Sequence, residues 1–149
     1  VVESVVSPAL ELVRAQFDAA EMSLDLRVPE GAVRAECDPG LLRIVLVNLL
    51  GNAIKFSPSG AAIRVSAAPA DERRLVIRVT DQGSGIPPEW VEKVFDRYAQ
   101  VEARKALGTV GSGLGLTFCK LAVEAHGGRI WLESTVGRGT TVDFTLPAI

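Results

Sequence analysis

Apolar residues recur at helical spacing in three parts of the chain, and each part predicts a helix. The first helix is predicted near residues 8–20, because Ser7 and Pro8 match an N-cap followed by proline at the first helical position. The second covers residues 38–56, with an acidic cap, and is apolar on nearly every side. The third covers residues 113–126 before two glycines. Its predicted apolar side consists of Leu114, Phe118, Leu121 and Ala125.

Strict alternation of apolar and polar residues predicts five strands. SLDLRV, residues 23–28, places Leu24, Leu26 and Val28 on one face of a half-buried strand. The next two strands, AAIRVSA and LVIRVT, are joined by a polar loop and predict an antiparallel hairpin. RIWLES and TTVDFTLP predict a second hairpin that turns at residues 136–139. Hairpins between helices indicate an α+β two-layer sandwich, with a mixed, largely antiparallel sheet and helices on one face.

The composition is that of one soluble domain with a sizeable core. The 149 residues are 48% hydrophobic and 23% charged. A net charge of -2 gives no electrostatic support for a nucleic acid or an anionic membrane as partner. No run approaches the roughly 18 apolar residues of a membrane span. Cys37 and Cys119 have no metal-ligand spacing, so both are predicted to be ordinary thiols.

Three polar side chains interrupt the second helix. Asn48, Asn52 and Lys55 fall within roughly a 60° sector of an ideal helix. One interpretation is a solvent-facing side. The other is a ligand site, because an amide oxygen can ligate Mg²⁺ and an ammonium can balance phosphate charge.

A D-x-G-x-G sequence follows the strand LVIRVT. It places Asp81 at the strand end and glycines at Gly83 and Gly85. A tight turn with an Asx hydrogen bond explains this pattern. A pocket for adenine also explains it, since a carboxylate accepts from an exocyclic amine and glycines let a ring approach the backbone.

Gly111, Gly113 and Gly115 precede the third helix, where exposed N–H groups favour an anion. Packing at a helix entry is the alternative. A dinucleotide fingerprint would follow a strand directly, and a P-loop would need Gly-Lys-Ser/Thr, so neither motif fits. The polar segment before these glycines resembles a mobile lid in which Arg104 and Lys105 either reach phosphate or are solvated. His126, the single histidine, is predicted to serve the helix end rather than catalysis.

NLLGNAIKF, DQGSGIP, VFDRY, GSGLGL and GRGTTVDFTLP occur in this order. Together they resemble the ATP-binding catalytic domain of sensor histidine kinases over nearly the whole chain. The resemblance implies the Bergerat fold, which is shared with gyrase-type and chaperone-type ATPases. It also implies that residues 1–149 are a single ATP-binding catalytic domain from a longer kinase.

The resemblance assigns roles to individual residues. It implies that Asn52 ligates Mg²⁺, that Asn48 and Lys55 assist catalysis on the same helix face, and that Asp81 takes the adenine amine. Phe95 would anchor the lid. The further residues implied to contact the nucleotide are Phe56, Gly83, Gly85, Ile86, Tyr98, Gly111, Ser112, Gly113, Leu114, Gly115 and Leu116. Gly137 and Gly139 match the last glycine motif, which hairpin turning also explains.

The implied function is to bind Mg²⁺-ATP and to donate the γ-phosphoryl group to a histidine on a separate dimerisation domain. That histidine would then serve a response regulator in two-component signalling. The resemblance implies a homodimeric parent and a cytoplasmic domain without direct membrane contact, whether or not the parent is membrane-anchored. A non-catalytic ATP-sensing module is the alternative. A self-contained ATPase is disfavoured, because hydrolytic relatives place a glutamate base where this chain has Asn48.

Overall fold

The computed structural model describes residues 3–28, 34–91, 94–95 and 115–148. Four helices and five strands lie within these ranges. The helices are α1 (Glu3–Ala19), α2 (Pro39–Phe56), α3 (Pro88–Val91) and α4 (Gly115–Ala125). The strands are β1 (Ser23–Arg27), β2 (Ala62–Pro69), β3 (Arg74–Thr80), β4 (Ile130–Thr135) and β5 (Gly139–Pro147).

The five strands form one mixed sheet in the order β1-β2-β3-β5-β4. β1 and β2 are parallel, whereas the other neighbouring pairs are antiparallel. Both predicted hairpins are confirmed as β2–β3 and β4–β5. Alternate residues of the strands face α1, α2 and α4 and form one core with them, as Ile63, Ile77 and Phe144 show by being fully buried. The predicted two-layer α+β sandwich is therefore confirmed.

The register of β3 and β5 determines what lies beside the predicted pocket. Arg78 is paired with Asp143 and Thr80 with Thr141. On the outer face, the Arg78 guanidinium donates to both carboxylate oxygens of Asp143, at 2.6 and 3.0 Å. Because β3 and β5 keep the same register to the end of β3, the next residue, Asp81, lies beside the start of β5.

α2 is the central helix of the core. Its N-cap, Asp38, accepts from the backbone N–H groups of Gly40 and Leu41, and proline follows at the first position. Its length and composition would also fit a membrane span, although polar residues interrupt its apolar sequence. One side of the helix is instead buried in the domain, whereas Ile44 is 47% exposed. The buried residues are Leu42, Val45, Leu46, Leu49, Leu50 and Ala53.

α1 and β1 differ from the prediction. α1 begins at Glu3 rather than near residue 8, and Pro8 lies inside the helix. Val6 is 1% exposed, so the buried side of the helix begins before Pro8. Among the described strands β1 lies at an edge of the sheet, and its Leu26 is 41% exposed rather than half-buried.

α4 shows the largest error in a predicted face. Leu121 is 63% exposed, and Ala125 is also exposed. The buried side consists of Cys119, Ala122 and Val123. Small side chains on this side allow a close approach to α2, and the Cys119 Sγ lies 3.7 Å from the backbone oxygen of Val45. Burial raises the pKa of the Cys119 thiol to about 12, as suits an unreactive core cysteine.

Candidate nucleotide site

The polar face of α2 meets the beginning of α4 at Asn48. The Asn48 side-chain Nδ2 donates to the backbone oxygen of Ile44, one turn earlier, at 3.0 Å. This bond turns Oδ1 away from the helix backbone and towards Gly115. A Cβ atom on Gly115 would lie 3.0 Å from Asn48 Oδ1, so the glycine allows the two helices to approach.

Asn52 and Lys55 follow Asn48 along the same face of α2. Asn52 is half-buried and Lys55 is exposed. Among the described residues, the Asn52 amide has no hydrogen-bond partner, so its oxygen is available to a ligand. Lys55 lies in the last turn of α2. The face therefore offers two amide oxygens and one ammonium, without a carboxylate between them.

Asp81 lies directly after β3, and its two carboxylate oxygens have different environments. Oδ1 accepts from the backbone N–H of Gly83 at 2.9 Å and from that of Thr140 at 3.0 Å. Oδ2 has no hydrogen-bond partner within the described residues. The Asx hydrogen bond that a simple turn predicts is present, but it uses only Oδ1. Burial raises the pKa of Asp81, while the two backbone hydrogen bonds act to lower it.

The loop after Asp81 touches both α2 and the β4–β5 hairpin. A Cβ atom on Gly83 would lie 2.5 Å from the backbone oxygen of Phe56, at the end of α2. Gly85 has φ of 78° and packs on the backbone oxygen of Thr135, so a side chain there would meet both strain and a clash. Gly137 donates its backbone N–H to the Ser84 oxygen at 2.8 Å. The loop is thus held between the end of α2 and the β4–β5 hairpin.

Two hydroxyl residues of this region are not marked by any of the sequence motifs. Ser134 and Thr140 lie on the inward faces of β4 and β5, and their hydroxyl oxygens are 2.9 Å apart. The Ser134 hydroxyl also accepts from the backbone N–H of Ile86 at 2.7 Å. The signal in the sequence is a polar residue where the alternation calls for an apolar one, but a hairpin turn also accounts for polar residues in this segment.

The last glycine motif does more than form a turn. Gly137 has φ of 84° and lies in the β4–β5 turn, as expected. Gly139 has φ of 123°, and a Cβ atom there would collide with the backbone oxygen of Asp81. The turn interpretation is therefore incomplete, because Gly139 also lets β5 approach the strand end that carries Asp81.

The remaining predicted residues divide into three groups. Ile86 and Leu116 are half-buried and pack against the core, and Phe56 is half-buried at the end of α2. Phe95 is 7% exposed and belongs to the core. The predicted residues that lie outside the described ranges are Tyr98, Arg104, Lys105, Gly111, Ser112, Gly113 and Leu114.

His126 has the structural role expected from its position after α4. Its Nδ1 lies 2.7 Å from the backbone oxygen of Ala122, and its Nε2 accepts from the backbone N–H of Asp38 at 2.9 Å. This pairing requires a neutral imidazole with the proton on Nδ1. The ring therefore joins the end of α4 to the N-cap of α2.

Comparison with known proteins identifies the family of the chain. A model of the family of histidine kinase-, DNA gyrase B- and HSP90-like ATPases matches residues 37–149. The sensor histidine kinase WalK of Bacillus subtilis is 43% identical over 121 residues, which are 80% of this chain and 20% of WalK. The adaptive-response sensory kinase SasA of Synechococcus elongatus is 35% identical over 147 residues, which are 99% of this chain and 38% of SasA.

Solved structures are similar over the whole chain. A mycobacterial sensor histidine kinase, MprB, superposes with a TM-score of 0.83 at 29% identity, covering 99% of this chain and 94% of that one. Full-length ShkA in complex with AMPPNP gives a TM-score of 0.85 at 25% identity, covering 99% of this chain and 30% of ShkA.

The chain belongs to the family of histidine kinase-, DNA gyrase B- and HSP90-like ATPases. Within that family it is the catalytic ATP-binding domain of a sensor histidine kinase. The chain spans 20% of the length of WalK and 38% of the length of SasA.

Proposed function

We propose that this domain binds Mg²⁺-ATP between the polar face of α2, the Asp81 loop and the start of α4, and that it presents the γ-phosphoryl group to a histidine of its parent kinase. The observation that carries the proposal is the unequal use of the Asp81 carboxylate. Oδ1 is held by two backbone N–H groups, at 2.9 and 3.0 Å, while Oδ2 has no hydrogen-bond partner in the described part of the chain. A fixed carboxylate with one free oxygen suits the exocyclic amine of adenine.

The phosphate end of the pocket would lie along α2 and at the first turn of α4. Backbone N–H groups in the first turn of a helix lack helical acceptors and favour an anion. Gly115 brings this turn against Asn48. Lys55 would add a positive charge near the phosphates, although as an exposed side chain it would be screened by solvent.

The residues present fit Mg²⁺ held chiefly by the nucleotide. The described residues contain no group of three or more His, Cys, Asp or Glu side chains that could hold a metal by themselves. Mg²⁺ takes oxygen ligands, and in kinase sites it is held by few protein groups, usually one or two carboxylates, together with substrate phosphates. Asn52 would supply one such oxygen, with Asn48 beside it, and the bound ion would neutralise charge on the phosphates.

The reaction we propose breaks the bond between the γ-phosphorus and the bridging oxygen of ATP, forms a phosphorus–nitrogen bond to histidine, and releases ADP. Phosphoryl transfer of this kind needs mainly positioning and charge neutralisation. Asn48 cannot accept a proton from water at neutral pH, which favours transfer to histidine over hydrolysis. The parent would be a dimer that passes the phosphoryl group to a response regulator, with this domain on the cytoplasmic side, where ATP is available.

The test combines this chain with the histidine-bearing dimerisation domain of its parent and γ-labelled ATP. We expect acid-labile label on that histidine and little free phosphate. Asp81→Asn serves as a binding-deficient control, and Asp71→Asn, on an exposed loop, as a matched neutral one. Nucleotide binding without label on the histidine would instead support an ATP-sensing module, and steady phosphate release by the chain alone would support an ATPase.

A further inference from the structure

We propose that Ser134 is a positioning residue for nucleobase recognition, because its hydroxyl fixes the loop from Gly83 to Ile86 against the start of β5. The inference rests on the proposed role of Asp81 in reading adenine. Ser134 itself need not touch the nucleotide. Its effect would pass through the loop that forms the wall of the pocket beside Asp81.

The Ser134 hydroxyl contacts three groups that belong to two segments of the chain. Its Oγ accepts from the Ile86 N–H at 2.7 Å and lies 3.1 Å from the backbone oxygen of Gly139. It also lies 2.9 Å from the Thr140 hydroxyl. Ile86 ends the loop after β3, whereas Gly139 and Thr140 begin β5. One half-buried hydroxyl thus joins the pocket loop to β5, the strand whose Thr140 N–H donates to Asp81.

This role requires a hydroxyl group, because one atom must both donate and accept hydrogen bonds. The Ile86 N–H can only donate and the Gly139 carbonyl can only accept, so the bridging atom must do both. When Ser134 donates to Gly139, the Thr140 hydroxyl donates to Ser134, and every group in the cluster is satisfied. Alanine at position 134 leaves the Ile86 N–H and the Gly139 oxygen without this partner, and a half-buried unpaired group costs free energy.

The same loop supplies one of the two N–H groups that orient Asp81. Gly83 donates to Asp81 Oδ1, and Gly83 is three residues from the Ile86 anchor. The other donor, Thr140, belongs to β5 and does not need the loop. Ser84, next to Gly83, has separate hydrogen bonds to Gly137 and Phe56. Loss of the Ser134 bridge would therefore release only the Ile86 end of the loop, which would loosen the Gly83 wall and its hydrogen bond while the sheet remains intact. The base, rather than the phosphates, would lose its contacts.

The test measures the dissociation constants of ATP and GTP for the whole chain by calorimetry. We expect Ser134→Ala to weaken ATP binding about tenfold, as for the loss of one or two hydrogen bonds. GTP binding, which depends mostly on phosphate contacts, should change much less, so that the preference for adenine falls. Ser134→Thr retains a hydroxyl and should keep ATP binding near that of the wild type.

A matched control lies in the same hairpin. The Thr145 hydroxyl also accepts a backbone N–H, that of Arg129 at 3.0 Å, but at the opposite end of β5. Thr145→Val should lower the melting temperature without changing the preference for ATP over GTP. If Ser134→Ala does not fold, Ser134→Cys, a weaker acceptor of similar size, takes its place.

The outcomes separate the two proposals. Wild-type chain that binds neither nucleotide would overturn the proposed function itself. Wild-type chain that prefers ATP, with Ser134→Ala showing the same preference within twofold, would overturn only the role of Ser134. An equal loss of the preference for ATP over GTP in Thr145→Val would also overturn the role of Ser134, because the effect would then come from lower stability in general.

Discussion

Asp81 and Thr140 are joined by two hydrogen bonds that run in opposite directions. The Thr140 backbone N–H donates to Asp81 Oδ1 at 3.0 Å, and the Asp81 backbone N–H donates to the Thr140 oxygen at 2.9 Å. The pair therefore fixes both the main chain and the carboxylate of Asp81 at the end of the central strand β3. A carboxylate held in this way needs no rearrangement when it meets a ligand, which favours binding.

Asp81→Asn should weaken binding of adenine nucleotides at least about tenfold, in line with the loss of a hydrogen bond to a charged group. The amide oxygen can replace Oδ1 towards Gly83 and Thr140, but its NH2 group then meets the amine of adenine as donor against donor. Calorimetric titration with a non-hydrolysable ATP analogue checks this expectation. Unchanged affinity would show that the base does not lie at Asp81.

The same substitution should not destabilise the free domain at neutral pH. Burial raises the pKa of Asp81 above its ordinary value of 3.8, so its favourable contribution to folding is present below that pH and is lost as the pH rises through the folded pKa. At pH 7 the ionised carboxylate therefore costs stability that an amide does not. We expect Asp81→Asn to melt at or above the wild-type temperature at pH 7, with the difference shrinking on acidification.

Thermal unfolding of both chains across pH 4–7 measures this trend. The opposite sign, in which Asp81→Asn melts well below the wild type at pH 7 and recovers in acid, would contradict the assigned effect of burial on Asp81. A stabilised variant that no longer binds nucleotide would show that the carboxylate is kept for function at the expense of stability.

Asn52→Ala should remove most of the Mg²⁺ dependence of nucleotide binding. The reason is that Asn52 offers the amide oxygen proposed as a protein ligand of the ion. Titrations with and without Mg²⁺ should differ clearly for the wild type and only slightly for the variant, whereas Asn52→Asp should retain a dependence. A variant with the full wild-type response to Mg²⁺ would place the ion elsewhere.

Two glycines should respond to alanine in opposite ways. Gly85→Ala combines φ of 78° with a collision at Thr135, so a loss of about 1–3 kcal/mol in the free energy of unfolding is expected. Gly51 lies within α2, and a Cβ atom there meets nothing within 4 Å. Gly51→Ala should instead add about 0.5–1 kcal/mol, since alanine is the better helix former.

Urea denaturation measures both changes, and a nucleotide titration of Gly85→Ala tests its second consequence, weaker binding through a displaced loop. Equal stability of the two alanine variants would contradict the geometry given for the Gly85 loop.

His126→Ala should lower the free energy of unfolding by about 1–3 kcal/mol, because the Asp38 N–H and the end of α4 lose their partners. Leu121→Ala, on the exposed side of the same helix, should change it by no more than about 0.5 kcal/mol. Chemical denaturation of both variants makes the comparison. A larger loss for Leu121→Ala would restore the apolar face predicted from the sequence.

The elements were predictable where their sequence signals were local. The Asp38–Pro39 cap and the alternation in β2–β5 lead directly to the observed helix and hairpins. Errors arose where tertiary packing decides. The buried side of α4 depends on its approach to α2, which favours Cys119 and Ala122 over Leu121.

The site was predictable in part for the same reason. Asn48, Asn52 and Lys55 share a face through helical periodicity alone, and Asp81 is marked by the glycines after it. Ser134 and Thr140 could not be assigned in this way, because their roles depend on contacts between segments that are distant in the sequence. Thr140 and Asp81, for example, are 59 positions apart.

The most direct test of this account is a calorimetric titration of the whole chain with a non-hydrolysable ATP analogue, with and without Mg²⁺. We expect one binding site per chain, with binding that is tighter with Mg²⁺ and weaker in Asp81→Asn. The absence of binding under both conditions, or binding that Asp81→Asn leaves unchanged, would contradict it.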